Sequence, residues 1–217
     1  MPPLATSPSP PGIVYLLDDE PEMVKALMRL LHAKRFEVRG FTSVGGFLEA
    51  FCPVDKACLV LDVAMPELDG LELQRHLTHQ GILIPIIFLT GHGDIPMSVR
   101  AIKAGATDFL TKPVDALALV QAVRTALELA ETRRQAIAET AALAARLATL
   151  TPREREVMQH VVAGQLNKQI AADLGTGEQN IKLHRAHIMQ KMGVESLPDL
   201  VRAAERLGVG KPVTGNQ

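Results

Sequence analysis

Short apolar runs alternate with amphipathic stretches over the first half of the chain. Apolar runs bounded by turn residues are typical of buried strands, and apolar residues at helical spacing predict the helices between them. The predicted strands are Ile13–Leu17, Phe36–Phe41, Cys58–Asp62, Ile84–Leu89 and Thr107–Leu110. The predicted helices are one opened by Pro21, then Ser43–Phe51, Leu68–His79, Pro96–Ala104 and one running on from Pro113. This alternation indicates an α/β doubly wound, flavodoxin-like fold with a five-stranded parallel sheet of order 2-1-3-4-5.

Polar side chains stand at the carboxyl ends of the predicted strands. Asp18 and Asp19 follow the first strand, and Asp62 ends the third. Thr90 follows the fourth strand, and Lys112 lies just past the fifth. Because parallel strands end at the same edge of a sheet, we expect these side chains to converge. Each of them alone has an ordinary explanation, such as an aspartate that caps a helix. The ordered set is what indicates a site.

The chemistry of that set favours a metal and a phosphoryl group. Three carboxylates in one pocket repel one another, and a hard divalent cation relieves the repulsion. Mg²⁺ fits, because it binds one or two carboxylates, keeps waters and contacts phosphate oxygens. Asp62 is then the predicted phosphoryl acceptor, with the Lys112 ammonium and the Thr90 hydroxyl near the transferred group. A calcium loop is disfavoured, since the acids are dispersed along the chain.

A long segment without Gly or Pro joins the two halves of the chain. Residues 132–150 include seven alanines, the best helix former. We expect the last helix of the first domain to continue into a helical linker over residues 125–150. Two alternatives are open for this linker, a solvated helical spacer or a two-stranded coiled coil. The seam of the coiled coil would be the stripe Ile137, Ala141, Ala144 and Ala148.

Four short helices are predicted over residues 151–208, with the spacing of a helix-turn-helix. Thr151 and Glu154 open the first helix in the pattern of a cap and an acid at the third position. The third helix is Glu178–Met192, whose inner side carries Ile181, Ile188 and Met192. The side chains on its outer side are short and uncharged enough to enter a DNA major groove. That outer side consists of Gln179, Leu183, Ala186 and Gln190, edged by Lys182 and His187.

Composition and charge change this picture little. The chain has 217 residues, of which 47% are hydrophobic, enough to fill the cores of one or two domains. Formal net charge is −3 over residues 1–124 and +2 over residues 151–217, which weakly supports a nucleic-acid partner for the second half.

The ends and the cysteines predict little further chemistry. Residues 1–12 are rich in Pro and Ser and predict a disordered lead-in, and residues 209–217 predict a flexible tail. No segment predicts a membrane span or a signal peptide. Cys52 and Cys58 lack metal-binding spacing, so we expect free thiols in a cytoplasmic protein.

Residues 13–124 resemble a response-regulator receiver domain, the CheY-like type, over nearly its whole length. The matching stretches are LLDDE, LVLDVAMPELDG and LTGHGDIPMSVRAIKAGATDFLTKP, the last especially similar to FixJ-type receivers. The resemblance implies that Asp62 takes a phosphoryl group from a sensor histidine kinase. It further implies that Asp18, Asp19, Asp62 and the backbone carbonyl of Ala64 hold Mg²⁺. Thr90 and Lys112 would contact the phosphoryl oxygens.

The resemblance also implies a conformational switch. Phe109 matches the aromatic switch position, whose ring turns inward as Thr90 moves; from composition alone it is a core residue. Many receivers have a larger side chain where Ala64 stands, which implies a more open pocket.

Residues 151–207 resemble a LuxR-type helix-turn-helix. The matching stretches are LTPREREVMQHVVAGQLNKQIAADLG and IKLHRAHIMQKMGV. The resemblance implies that Lys168 and Lys182 face DNA and that Leu183 faces the groove. Gly177 departs from the usual serine cap, which costs a few tenths of a kcal/mol. Ala186 replaces a basic residue of some relatives.

Together the two resemblances identify a response regulator of the NarL/FixJ family. We expect a transcription factor that dimerises through residues 96–110 on phosphorylation and binds double-stranded promoter DNA, with RNA polymerase as a further candidate partner. One alternative is a signalling or phosphate-sink protein whose terminal module binds protein. Another is a Mg²⁺-dependent phosphatase, which we do not expect, because no second acid or base is placed for turnover.

Overall fold

The computed structural model describes residues 12–53, 56–66, 69–91 and 105–209. The predicted helix Pro96–Ala104 lies outside these residues. The chain divides into two compact units, with the division between Arg134 and Gln135. Among the described residues, no helix combines the length and the apolar character that crossing a membrane needs.

The first unit contains a parallel sheet of five strands in the order β2-β1-β3-β4-β5, as predicted. The strands are β1 Ile13–Leu17, β2 Glu37–Phe41, β3 Ala57–Asp62, β4 Ile86–Thr90 and β5 Asp108–Thr111. The helices, numbered over the described residues, are α1 Pro21–Ala33, α2 Val44–Ala50, α3 Gly70–His79 and the long α4 Ala116–Ala148. The fourth strand begins later than predicted, because Pro85 has no N–H and precedes the ladder, where its carbonyl accepts from Leu59.

Burial on both faces of the sheet explains its apolar strands. All residues of β1, β3 and β4 are buried. One face packs against α1 and α4 through residues such as Leu27 and Val123, and the other packs against α2 and α3 through Phe47 and Leu73. The edge strand β2 instead exposes Glu37 and Arg39. The helices therefore cover both faces, which leaves the carboxyl edge of the strands for polar side chains.

The long helix α4 takes part in the packing of both units. One face of its first half is buried in the sheet core, as far as Leu127 and Ala130. Its last turns pack Leu143 and Leu147 against the core of the second unit, together with Leu150, which follows the helix. The predicted linker is therefore helical. It is not a solvated spacer at either end, because each end packs against the core of one unit. The predicted coiled-coil stripe is exposed, and its pairing stays a prediction.

The second unit adds four short helices, as predicted. They are α5 Pro152–Val162, α6 Asn167–Asp173, α7 Glu178–Met192 and α8 Leu197–Arg206. Thr151 and Glu154 form the predicted capping box at the start of α5. The core buries Ile181, Ile188 and Met192, so the predicted inner face of α7 is confirmed. The pair α6 and α7, joined by a short turn, has the helix-turn-helix arrangement.

Candidate functional site

Three aspartates meet at the carboxyl edge of the sheet. Asp18 follows β1, and Asp62 is the last residue of the adjacent strand β3. Asp19 stands beside Asp18 and is half-buried, whereas Asp18 and Asp62 are buried. Each carboxylate offers an oxygen, and these oxygens lie within 4.8 Å of one another. The topology thus brings together acids that are more than forty residues apart in the sequence.

Lys112, which directly follows β5, also contacts this acidic cluster. Its Nζ lies 2.8 Å from Asp18 Oδ2 and 3.1 Å from Asp62 Oδ2. Burial alone would lower the pKa of Lys112, but the hydrogen bonds to Asp18 and Asp62 outweigh burial and raise that pKa above its ordinary value. The ammonium is therefore charged at neutral pH. Its backbone N–H donates to the carbonyl oxygen of Thr90 at 2.7 Å, which fixes the residue to the end of β4.

Backbone N–H groups orient the two buried carboxylates. Glu20 donates its N–H to Asp18 Oδ1 at 2.9 Å, and Ala64 donates its N–H to Asp62 Oδ1 at 3.4 Å. Asp62 therefore has one oxygen toward a backbone donor and the other toward the Lys112 ammonium. The predicted ligand role of the Ala64 carbonyl stays a prediction.

A close approach between α3 and β3 supports the position of Asp62. Gly70 begins α3, and a Cβ on it would lie only 2.7 Å from the backbone oxygen of Asp62 and 3.1 Å from Phe88. A glycine at this position allows the helix start to touch the strand end. Asp69 caps the same helix, accepting from the N–H of Leu71 at 3.0 Å.

Thr90 and Phe109, the residues of the predicted switch, lie in the neighbouring strands β4 and β5, and the switch itself stays a prediction. Leu89 pairs with Asp62 across the ladder, so Thr90 stands one residue beyond it, and Thr90 is buried. Phe109 in β5 is half-buried and packs against the core on the α2 and α3 side. This position is compatible both with a core residue, as composition predicts, and with the aromatic switch residue that the family resemblance implies.

The charge and the donor atoms of this pocket fit a magnesium ion. The cluster holds three carboxylates, of which Asp18 and Asp62 contact the single ammonium of Lys112, so negative charge is in excess there. Carboxylate oxygens are the hard ligands that Mg²⁺ prefers. Asp19, which has a partly exposed side chain, gives the cluster a side open to solvent.

The outer face of α7 is the second candidate site. Every predicted member of that face is exposed, including Leu183 at 55%. The exposed set is Gln179, Lys182, Leu183, Ala186, His187 and Gln190, with Lys168 exposed on α6. Arg185 Nη1 donates to Asn167 Oδ1 at 2.9 Å and so joins α7 to the start of α6. The exposure agrees with the prediction, and DNA contact by these residues stays a prediction.

Glu154 holds the carboxyl end of α7. Its carboxylate is buried and accepts from Lys191 Nζ at 2.6 Å and from the N–H of Thr151 at 2.8 Å. The hydrogen bond from Lys191 and the backbone hydrogen bond from Thr151 lower the pKa of Glu154 from 4.5 to about 2. The sequence indicated the cap but not Lys191, because a contact 37 residues away leaves no local pattern.

Both cysteines are free, as predicted. Cys58 is buried in β3, and burial raises the pKa of its thiol far above the ordinary value. A thiol in that state has little thiolate and is inert.

Two known families match the chain. The response regulator receiver domain family matches residues 14–124, and the family of bacterial regulatory proteins described as the luxR family matches residues 148–204.

Whole-length relatives carry both parts. The response regulator protein TmoT of Ectopseudomonas mendocina is 45% identical over 196 residues, which cover 90% of this chain and 89% of that protein. The transcriptional regulatory protein FixJ of Azorhizobium caulinodans is 43% identical over 197 residues, which cover 90% of this chain and 93% of that protein.

Solved structures show the same similarity. The response regulator StyR matches with a TM-score of 0.78 and 44% identity, covering 90% of this chain and 99% of that one. Full-length FixJ from B. japonicum matches with a TM-score of 0.54 and 40% identity, covering 91% of this chain and 97% of that one.

Proposed function

The chain belongs to the NarL/FixJ family of response regulators, two-component transcriptional regulators with a receiver and a LuxR-type DNA-binding domain, and we propose that phosphorylation of Asp62 controls its binding to promoter DNA. The observation that carries the proposal is the contact of Lys112 with both Asp18 and Asp62 at the strand ends. A sensor histidine kinase is the proposed phosphoryl donor.

The proposed reaction uses Asp62 as the nucleophile. One carboxylate oxygen of Asp62 bonds to phosphorus as the bond from phosphorus to the kinase histidine nitrogen breaks, and an acyl phosphate results. The Lys112 ammonium donates to a phosphoryl oxygen, and the Thr90 hydroxyl donates to another. Asp18, Asp19, Asp62 and the carbonyl of Ala64 would hold Mg²⁺, which would supply positive charge to the phosphoryl oxygens.

The proposed signal leaves the pocket through β4 and β5. Movement of Thr90 toward the phosphoryl group vacates space, and the ring of Phe109 turns inward to fill it. Lys112 and Thr90 are already joined through the backbone at 2.7 Å, so the ends of the two strands move together. The surface of residues 96–110, described from residue 105 onward, then forms the dimer contact.

The proposed output is a pair of α7 helices on a two-fold symmetric operator. The exposed Lys182 and Leu183 stand on one face of α7, where an ammonium reaches phosphate or a base edge and an apolar side chain meets a thymine methyl group. The second half of the chain carries a net charge of only +2, so one copy binds weakly and dimerisation supplies the affinity. RNA polymerase is a further proposed partner at the promoter.

Mass spectrometry and gel filtration of the full chain test the first half of this proposal. Wild type, Asp62→Asn and the control Asp69→Asn are incubated with Mg²⁺ and either acetyl phosphate or beryllofluoride. We expect wild type and Asp69→Asn to gain the adduct and to elute as dimers, and Asp62→Asn to do neither. An adduct on Asp62→Asn, or phosphorylation without a dimer, contradicts the proposal.

Selection of DNA tests the second half. The beryllofluoride-treated wild type is offered a random pool of duplexes, and we expect it to enrich a two-fold symmetric sequence. Binding to that sequence by Asp62→Asn under the same treatment should be weaker. Failure to enrich any duplex would favour the protein-binding alternative.

A further inference from the structure

The last turn of the long helix α4 contacts the end of the proposed DNA-reading helix α7. Arg146 Nη1 donates to the backbone carbonyl oxygen of Met192, the last residue of α7, at 3.0 Å. The final carbonyl groups of an α-helix have no partner within the helix. A cationic side chain that donates to one of them satisfies it and offsets the negative end of the helix dipole. Arg146 is therefore a cap for α7 supplied by another helix.

The glycine that follows α7 makes room for this cap. Gly193 has a left-handed backbone with φ of 64°. A Cβ at this position would lie 2.6 Å from Arg146 Nη1 and 3.0 Å from its Cζ. The guanidinium thus occupies the space that a side chain at residue 193 would need. Two features therefore favour glycine at position 193, its left-handed backbone and the closeness of the Arg146 guanidinium.

Other contacts hold the same part of α4 in the second unit. Leu143 and Leu147 pack against the core that buries Met192, and Leu150 is buried there. Arg206 of α8 donates to Glu139 Oε2 at 2.9 Å. The segment from Glu139 to Leu150 is therefore a fifth helical element of this unit and not a tether that leads to it.

We propose that Arg146 is a positioning residue for DNA binding, which holds the carboxyl end of α7 and thereby the orientation of its outer face. Lys182 precedes Met192 by ten residues, or about 15 Å along the helix axis. A small tilt at the held end therefore displaces the reading residues. The inference rests on the proposed DNA binding, because the face that Arg146 orients is the proposed DNA face.

Four variants of the full chain isolate this contact. Arg146→Ala removes the donor. Gly193→Asn places a side chain where the guanidinium lies, and asparagine tolerates the left-handed backbone. The double variant Arg146→Ala with Gly193→Asn forms a double-mutant cycle. Arg146→Lys keeps a positively charged donor.

Two control variants match the changes in type. Arg134→Ala removes an arginine from α4 that pairs with Glu131 at 2.8 Å. Gly164→Asn changes another left-handed glycine, with φ of 83°, where a Cβ would meet no atom of the described residues within 4 Å.

Two measurements are made on each variant. The first is affinity, as a function of salt, for the duplex that wild type selects from a random pool. The second is hydrogen exchange of the backbone amides in the last turn of α7 without DNA, together with the thermal midpoint of unfolding.

We expect Arg146→Ala and Gly193→Asn each to weaken binding about fivefold, the effect of one lost hydrogen bond. The double variant should be no weaker than either single variant, because both remove one contact. Amide exchange at the end of α7 should quicken in all three, and the thermal midpoint should fall by only a few degrees. Arg146→Lys should recover part of the affinity, and both controls should behave as wild type.

Three results would overturn the inference. Additive losses in the double variant would show that the two residues act separately. Unchanged affinity with faster exchange would show a cap without a positioning role. A salt slope that falls by about one phosphate in Arg146→Ala would show that Arg146 contacts DNA directly.

Failure of the underlying proposal looks different. If wild type selects no duplex, the proposed DNA binding fails, and the part of the inference that concerns DNA is overturned with it. Hydrogen exchange still decides whether Arg146 holds the end of α7.

Discussion

The aspartate pocket and the outer face of α7 are built in opposite ways. The pocket gathers side chains at the carboxyl ends of β1, β3 and β5, and residues as far apart as Asp18 and Lys112 meet in it. The outer face comes from a single helix whose side chains are exposed by helical periodicity. The pocket therefore depends on the spacing of backbone elements, whereas the face depends on how one helix is held. Changes at a glycine that allows the close approach of two elements should damage the pocket, and changes at anchoring side chains should damage the face.

The largest expected effect comes from Gly70→Ala, which tests the dependence of the pocket on backbone spacing. The added Cβ would lie 2.7 Å from the backbone oxygen of Asp62, so the strand end or the helix must shift. We expect about 2–3 kcal/mol of destabilisation and strongly reduced phosphorylation. Denaturant unfolding and adduct formation with acetyl phosphate measure the two effects.

Gly45→Ala is the matched control, since it lies in α2, where a Cβ meets no described atom within 4 Å. It should keep full phosphorylation and gain up to about 1 kcal/mol in stability. Equal behaviour of the two glycine variants would contradict the argument for close approach.

Glu154→Gln tests how far the face depends on an anchoring side chain. The variant loses the charged partner of Lys191, and we expect about 2 kcal/mol of destabilisation in the second unit at neutral pH. The carboxylate has a folded pKa of about 2, below the ordinary 4.5. Its stabilisation is therefore present above about pH 4.5 and is lost as the pH falls toward 2.

Chemical unfolding between pH 7 and pH 2 measures this dependence. The stability difference between wild type and Glu154→Gln should shrink over that window. A constant difference would place the role of Glu154 in packing rather than in charge. Glu156→Gln, on the same helix with its partner Arg153 at the surface, is the control.

Asp19→Asn tests whether the pocket binds a cation through Asp19. The substitution removes one half-buried carboxylate and leaves Asp18, Asp62 and Lys112 in place. We expect Mg²⁺ affinity to fall by about tenfold or more, with the fold kept. Thermal shifts in a Mg²⁺ titration measure it, with the exposed neighbour Glu20→Gln as control. Unchanged affinity would remove Asp19 from the ligand set.

Lys182→Ala and Leu183→Ala test whether the exposed face binds DNA. We expect each to weaken binding to the selected duplex by about fivefold, and Lys182→Ala to reduce the salt slope by about one. Arg202→Ala removes an exposed positive charge from α8 and serves as control. If neither variant changes binding while the control does, α7 is not the reading helix.

Gly177→Ser has the smallest expected effect. Gly177 is the cap of α7, with extended backbone and no side-chain hydrogen bond. A serine can accept from the first turn, so we expect the second unit to gain a few tenths of a kcal/mol. Thermal unfolding detects it, and a loss of stability would show that the turn cannot hold a side chain.

The sequence predicted the two sites to different depths for physical reasons. Helical periodicity placed the inner and outer faces of α7 because that pattern is local. The strand ends predicted the aspartate pocket because parallel topology converts order along the chain into proximity. Neither argument could find the contacts of Lys191 with Glu154 or of Arg146 with Met192, since these depend on how separate helices pack. The same packing shows why the helix of the linker is anchored at both ends.

The exposed residues 136–138 of α4 have a practical use. Their side chains are exposed, and they belong to neither core of the described chain. The Arg133 contact with the Leu83 carbonyl lies before them, and the Arg146 contact with Met192 lies after them. A chimera that exchanges receivers between relatives should therefore be joined here. Each half then keeps its own anchoring contacts, and the junction replaces only side chains that are exposed to solvent.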